Sequence, residues 1–144
     1  MKRIAGFDLG EASLGIAVND GIGLVHPREE FRFPRKAYKR AIAHAIEFLH
    51  REGITEVALG YPYNMDGTTG ESAARSARFK DELLAEDPIL TIHLVDERLT
   101  TVEAESFLEE VGITDWREQK AHIDEQAACV ILESYLNQLP KEGK

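Results

Sequence analysis

The sequence is poor in cysteine, in long apolar runs and in positive charge, and each shortage excludes a class of protein. Its single cysteine, Cys129, cannot form an internal disulfide, which favours a reducing cytoplasm. No Cys/His cluster has zinc-finger spacing. Because no apolar run reaches the length of a bilayer span, and the N-terminus lacks an apolar secretion segment, we expect a cytoplasmic protein without a membrane partner.

Basic residues are outnumbered: 17 Lys and Arg residues stand against 26 Asp and Glu residues, which gives a net charge of −9. Non-specific nucleic-acid binding depends on Lys and Arg side chains that neutralise phosphates, so this balance argues against broad binding of that kind. It remains compatible with an enzyme that binds nucleic acid through a local basic patch and divalent metal ions.

The apolar patterns predict one domain, residues 1–144, in which three strands are followed by alternating helices and strands. The predicted strands cover residues 4–8, 13–19, 24–33, 56–60 and 90–95. The predicted helices run from Pro34 to a stop at Gly53 and over residues 70–85, 100–110 and 121–139, with residues 114–120 as a polar loop. Pro27 favours an edge strand or a bulge for the third strand. This order predicts an α/β fold with a five-stranded mixed sheet, whose later strands are reached by right-handed crossovers.

Two carboxylates, Asp8 and Glu97, come at the ends of predicted strands. Sites in open α/β sheets lie beyond the carboxyl ends of parallel strands, so the two can face one site. Each also has a plain structural interpretation, because Asp8 can be a capping residue and residues 96–98 can be a surface turn. The alternatives stay open on these residues alone.

A third carboxylate, Asp124, begins a helical stripe whose other members are apolar or small: Ala127, Ala128, Ile131, Leu132 and Tyr135. It can cap the last helix, or it can join Asp8 and Glu97. Three convergent carboxylates repel one another unless hard cations lie between them, and oxygen-only ligation suits Mg²⁺ or Mn²⁺. Such ions activate water and stabilise the leaving oxygen in phosphodiester cleavage.

Four segments, residues 8–10, 60–67, 96–104 and 123–136, resemble in order the motifs of the YqgF (RuvX-type) family. Its members are described as Holliday junction resolvases and as pre-16S rRNA nucleases. The resemblance implies a ribonuclease H-like fold and a metal-binding catalytic triad of Asp8, Glu97 and Asp124. It also implies a nuclease that acts on precursor rRNA ends or on branched DNA, as a monomer or a homodimer.

Two departures from the family pattern remove basic residues. Ala12, preceded by Glu11, stands where the family usually carries a basic residue, and the segment 120–122 is poorer in lysine than is usual. Both changes favour a rival interpretation, a non-catalytic module that binds RNA or the ribosome. A second rival is an actin-like ATPase or sugar kinase, whose phosphate loop the segment 8–13 also resembles, but this chain is too short for the two domains of those proteins.

Substrate contacts are predicted at five residues: Arg98, Asn64, Lys120, Arg35 and Lys36. The last two belong to the most basic stretch of the chain, residues 28–40, which is our first choice for a nucleic-acid patch. A weaker second choice consists of Arg75, Arg78 and Lys80. A solvated surface is the plain interpretation of both stretches.

Overall fold

The computed structural model describes residues 2–62, 70–96 and 116–139, and in the last range it describes side chains from residue 127 onwards. Its elements are β1 (Ala5–Leu9), β2 (Ser13–Asn19), β3 (Val25–Arg32), α1 (Tyr38–Glu52), β4 (Glu56–Tyr61), α2 (Glu71–Glu86), β5 (Thr91–Asp96) and α3 (Trp116–Gln138). The predicted helix over residues 100–110 lies outside the described residues.

The five strands form one sheet in the order β3-β2-β1-β4-β5. The pairs β1–β2 and β2–β3 are antiparallel, as expected for strands joined by short connections. The pairs β1–β4 and β4–β5 are parallel, with a helix between successive strands. The predicted five-stranded mixed sheet is therefore confirmed.

Helices cover both faces of the sheet. Phe7 and Leu9 of β1 pack with residues of α1 and α2, such as Phe48 and Phe79, in the larger cluster of buried side chains. On the other face, α3 packs on the sheet through a smaller cluster: Ile4, Ala17, Ala58, Val95, Ala128, Cys129, Ile131, Leu132 and Tyr135. The predicted stripe of the last helix is thus buried from Ala128 onwards, and Cys129 is a core residue.

Two helix boundaries were predicted wrongly. The first helix begins at Tyr38 and not at Pro34, because Lys36 has φ = 65° and this left-handed conformation interrupts a helix. The last helix begins at Trp116, within the stretch that was predicted as a loop. Polar residues favour solvent exposure but do not prevent helix formation, so composition alone misplaced this boundary.

The strand β3 forms one edge of the sheet and is irregular in the middle. Ile16 pairs with Glu29 and Ala17 pairs with Pro27, so Arg28 is an extra residue on β3. This bulge lies next to a proline that has no backbone N–H to donate, which agrees with the predicted edge position.

Candidate active site

Asp8 lies on β1, at the sheet edge where the parallel strands end. It pairs with Gly15 of β2. The sequence predicted that this strand ends at Asp8, but β1 continues to Leu9. Alternation places it on the same face as Ile4 and Gly6, which is the face covered by α3. Its side chain is half-buried.

The neighbouring parallel strands end at the same edge. Gly60 pairs with Val95 and Tyr61 pairs with Asp96, so β4 and β5 finish together beside β1. Glu97 follows Asp96 directly in the sequence, but Glu97, Arg98 and Asn64 lie outside the described residues.

The helix α3 approaches β1 closely at Gly6. A Cβ atom at this position would lie 2.7 Å from the carbonyl oxygen of Ala128 and 2.8 Å from the Cβ atom of Leu132. Further along α3, the hydroxyl of Tyr135 donates a 2.9 Å hydrogen bond to Glu56, the first residue of β4. The helix therefore runs antiparallel to β1 and β4, and its earlier turns lie toward the carboxyl ends of the strands.

Residue 124 belongs to one of those earlier turns. It precedes Ala128 by four residues, which is about 6 Å along the helix axis. Positions 124 and 128 share a helical face, and Ala128 contacts β1. The side chains of Asp124 and Lys120 lie outside the described residues, so the geometry of the predicted triad is described at Asp8 alone. No three His, Cys, Asp or Glu side chains converge within the described part of the chain.

A charged cluster lies on the connection between β1 and β2, around Glu11, three residues after Asp8. The Glu11 carboxylate accepts a 2.7 Å hydrogen bond from Nε of Arg35, and its other oxygen lies 3.9 Å from Nη1 of Arg75. The hydrogen bond and the charge of Arg35 lower the pKa of Glu11. The backbone N–H of Lys36 also donates a 2.7 Å hydrogen bond to the Glu11 carbonyl oxygen.

This cluster brings together residues from both predicted basic stretches, 28–40 and 75–80. No local motif predicts it, because Glu11, Arg35 and Arg75 are far apart in the chain. The rest of the first stretch is partly neutralised, since Arg28 pairs with Glu52 at 2.8 Å and Arg32 with Glu30 at 3.2 Å.

A second charged cluster lies at the opposite end of the sheet, around Glu56. Its carboxylate accepts one hydrogen bond from Tyr135 and contacts Lys2 and His93 at 3.3 Å and 3.2 Å. Burial alone would raise the pKa of Glu56, but the hydrogen bonds from Tyr135 and Lys2 lower it. Burial and the neighbouring Glu56 carboxylate raise the pKa of Tyr135 to about 12. The His93 and Tyr135 rings stack at 4.5 Å, which agrees with a structural role for this histidine.

No described helix combines the length and the apolar character that a membrane span requires.

The mixed sheet, with its β3-β2-β1-β4-β5 order and a carboxylate at the carboxyl edge of β1, defines a ribonuclease H-like α/β protein. Two solved structures of RuvC from Thermus thermophilus share this fold. The one in complex with a Holliday junction substrate has a TM-score of 0.59 at 16% identity and covers 96% of each chain. The other has a TM-score of 0.56 at 14% identity.

Sequence comparison identifies the family. Residues 2–138 match the RuvX family, described as a Holliday junction resolvase. A protein of Lactobacillus gasseri named "Putative pre-16S rRNA nuclease" is 34% identical over 142 residues, covering 97% of this chain and 99% of its own. A protein of Lachnospira eligens with the same name is 37% identical over 141 residues, covering 96% and 99%. The chain belongs to the RuvX family of nucleases, as its motifs predicted.

Proposed function

We propose that this protein is a divalent-metal-dependent nuclease that hydrolyses phosphodiester bonds, with Asp8, Glu97 and Asp124 as the catalytic carboxylates. The observation that carries the proposal is the position of Asp8 on the α3 face, at the edge where β1, β4 and β5 end. The direction of α3 supports a role for Asp124, because residue 124 lies one turn from Ala128 toward this edge.

The residues available suit hard cations. Asp8, Glu97 and Asp124 supply only oxygen ligands, which Mg²⁺ and Mn²⁺ prefer. Gly60 of β4 follows Leu59, the partner of Phe7, so a residue without a side chain lies beside Asp8. When bound, such ions would activate the attacking water and stabilise the leaving oxygen.

Asp8 is the carboxylate whose setting is best defined. Backbone pairing with Gly15 fixes its Cα position, and half-burial restricts the directions open to its side chain. A rigid strand holds a ligand more precisely than a loop does, so Asp8 would orient a cation against the phosphate to be cleaved.

For the substrate we propose the 5′ end of precursor 16S rRNA, and we keep branched DNA as the second candidate. The rRNA substrate is favoured by the names of the relatives that match nearly the whole chain. Branched DNA is favoured by the family description and by the Holliday junction in the RuvC complex. We place the reaction in the cytoplasm, because a single cysteine without a disulfide partner suits a reducing compartment.

Replacement of Asp8 by Asn tests the catalytic role. The amide keeps the shape of the side chain but removes its charge, so cleavage of labelled precursor rRNA and of four-way DNA junctions with Mn²⁺ should fall by at least about 100-fold. Asp81→Asn, on the exposed surface of α2, serves as the matched control and should retain activity.

A non-catalytic RNA- or ribosome-binding module is the second candidate, because the basic residues usual near Ala12 and residues 120–122 are missing. The same assay separates the two candidates. Equal background cleavage by the wild type and by Asp8→Asn, with RNA binding retained in both, would establish the binding module and reject the nuclease.

A further inference from the structure

The cluster around Glu11 has the composition of a phosphate site that already holds an anion. Arg35 and Arg75 approach the two carboxylate oxygens of Glu11 from different elements, at 2.7 Å and 3.9 Å. Guanidinium groups bind carboxylate and phosphate oxygens with similar geometry. A carboxylate between two arginines therefore occupies a position that suits a phosphate oxygen.

Arg75 has hydrogen-bonding capacity that the described residues do not use. Its side chain is only 13% exposed, and its Nε atom is buried without a hydrogen-bond partner among those residues. The same side chain lines a cavity of about 120 Å³ together with Tyr38, Arg78, Phe79 and Glu82. A buried guanidinium donor beside a cavity with a second arginine is suited to an incoming anion.

The position of this cluster connects it with the candidate active site. Glu11 is three residues from Asp8 and lies on the connection that follows the carboxyl end of β1. Arg75 lies in the second turn of α2, and Arg35 lies on the connection after β3. The cluster therefore borders the end of the sheet at which Asp8 lies.

We propose that Arg35 and Arg75 bind a backbone phosphate of the nucleic-acid substrate, and that Glu11 occupies this phosphate site until the substrate displaces it. The proposal rests on the proposed function for its ligand. It assigns to Glu11 the role of an internal competitor, which lowers affinity for nucleic acid and limits binding of strands that offer few phosphates.

The geometry allows this exchange without unfolding. The side chains of Glu11 and Arg35 are 45% and 72% exposed, and ion pairs as exposed as this contribute little to stability. The backbone bond from Lys36 N–H to the Glu11 carbonyl oxygen, 2.7 Å, does not involve the carboxylate. Arg35 therefore stays beside the connection when the carboxylate turns away.

Glu11→Gln tests the competition, and Glu52→Gln is the matched control. Glu52 also bridges two arginines, Arg3 at 2.7 Å and Arg28 at 2.8 Å, but it lies at the end of α1, and Arg3 precedes β1, so the bridge is at the opposite edge of the sheet. Both substitutions remove one negative charge. A general charge effect would change nucleic-acid binding equally in the two variants.

Binding is measured by fluorescence anisotropy with EDTA present, on a labelled precursor rRNA fragment and on a four-way DNA junction. We expect Glu11→Gln to tighten binding roughly three- to tenfold, Arg35→Ala to weaken it by a similar factor, and Glu52→Gln to leave it within about twofold. Arg75→Gln should also weaken binding. Because Arg75 is more buried than Arg35, its variant can fail to fold, and in that event Arg35→Ala alone tests the arginine pair. The probe that responds identifies RNA or DNA as the source of the phosphate.

The outcomes separate this inference from the proposed function. Unchanged or weaker binding by Glu11→Gln, or equal tightening by Glu52→Gln, overturns the phosphate site even if Asp8-dependent cleavage is found. Tighter binding by Glu11→Gln alone supports the site even if no variant cleaves. Absence of binding to both probes in the wild type and in Glu11→Gln overturns the phosphate site, whereas the proposed function stands or falls separately on the cleavage assay with Asp8→Asn.

Discussion

At the scale of single residues, Glu52 is the clearest source of pH dependence. Its carboxylate accepts hydrogen bonds from Arg28 and Arg3, and these bonds, with the two positive charges, lower its pKa from 4.5 to about 2. A carboxyl group with a lowered pKa in the folded state stabilises the fold above its unfolded pKa, and this contribution is lost as pH falls through the folded value.

Glu52→Gln should therefore reduce the free energy of unfolding by about 1 kcal/mol at pH 7, as expected for a partly exposed ion-pair network. The difference between wild type and variant should shrink as pH falls from about 4.5 toward 2, because the wild-type carboxylate is then protonated as well. Urea unfolding monitored by circular dichroism across this range measures the effect. A constant difference at every pH would contradict the assignment.

Single residues also show what the sequence could and could not predict about the site. Strand alternation is a local property, and it places Asp8 on the same face as Gly6, where α3 packs in the structure. The roles of Glu97 and Asp124 stay predictions. The contact of Glu11 with Arg35 and Arg75 could not be predicted, because it depends on where two connections and a helix meet in three dimensions.

At the scale of elements, the contact between Gly6 and α3 sets the position of the last helix. The Cβ atom of an alanine at position 6 would collide with backbone and with Leu132, which cannot turn aside as the end of a flexible side chain would. Any side chain here must move the helix away from the sheet. Since residue 124 lies on the same helix, that movement also changes its distance from Asp8.

Gly6→Ala should lower the free energy of unfolding by about 1–3 kcal/mol, the usual cost of overpacking a core. It should also reduce nuclease activity under conditions in which the protein remains folded. Thermal unfolding and the cleavage assay measure the two effects, and Gly21→Ala is the control, because a Cβ atom there meets nothing within 4 Å. Equal behaviour of the two variants would show that α3 tolerates displacement.

The elements themselves were largely predictable because their apolar periodicities are strong. The stripe of the last helix correctly identified Ala128, Ile131, Leu132 and Tyr135 as buried. The helix starts were less predictable, since they depend on local exceptions. At α1 the exception is the left-handed Lys36, whose N–H is bonded to the Glu11 carbonyl oxygen, a partner distant in sequence.

At the scale of the whole molecule, the net charge of −9 limits how nucleic acid can bind. Several arginines are already paired with carboxylates: Arg3, Arg28, Arg32, Arg35 and Arg51. Among the described residues, these pairs reduce the number of cations that can release counterions from a nucleic-acid backbone. Binding should depend less steeply on salt than it does for strongly basic nucleic-acid-binding proteins.

We expect the logarithm of the binding constant to fall against the logarithm of salt concentration with a slope of about −2 to −3, which corresponds to roughly three phosphate contacts. Arg35→Ala should make the slope shallower by about 1. Anisotropy titrations at salt concentrations from about 50 to about 200 mM measure both slopes. A wild-type slope steeper than about −5 would require a larger basic surface than the one described.

The proline and the bulge on β3 have a consequence for assembly. Pro27 lacks a backbone N–H and Arg28 is an extra residue, so β3 offers an incoming strand no continuous row of backbone hydrogen bonds. The charged side chains of Arg28, Glu29 and Arg32 also oppose contact with an apolar strand. Copies of this protein should therefore resist fibre-like stacking through that border. If two copies do pair, we expect their sheets not to join through β3.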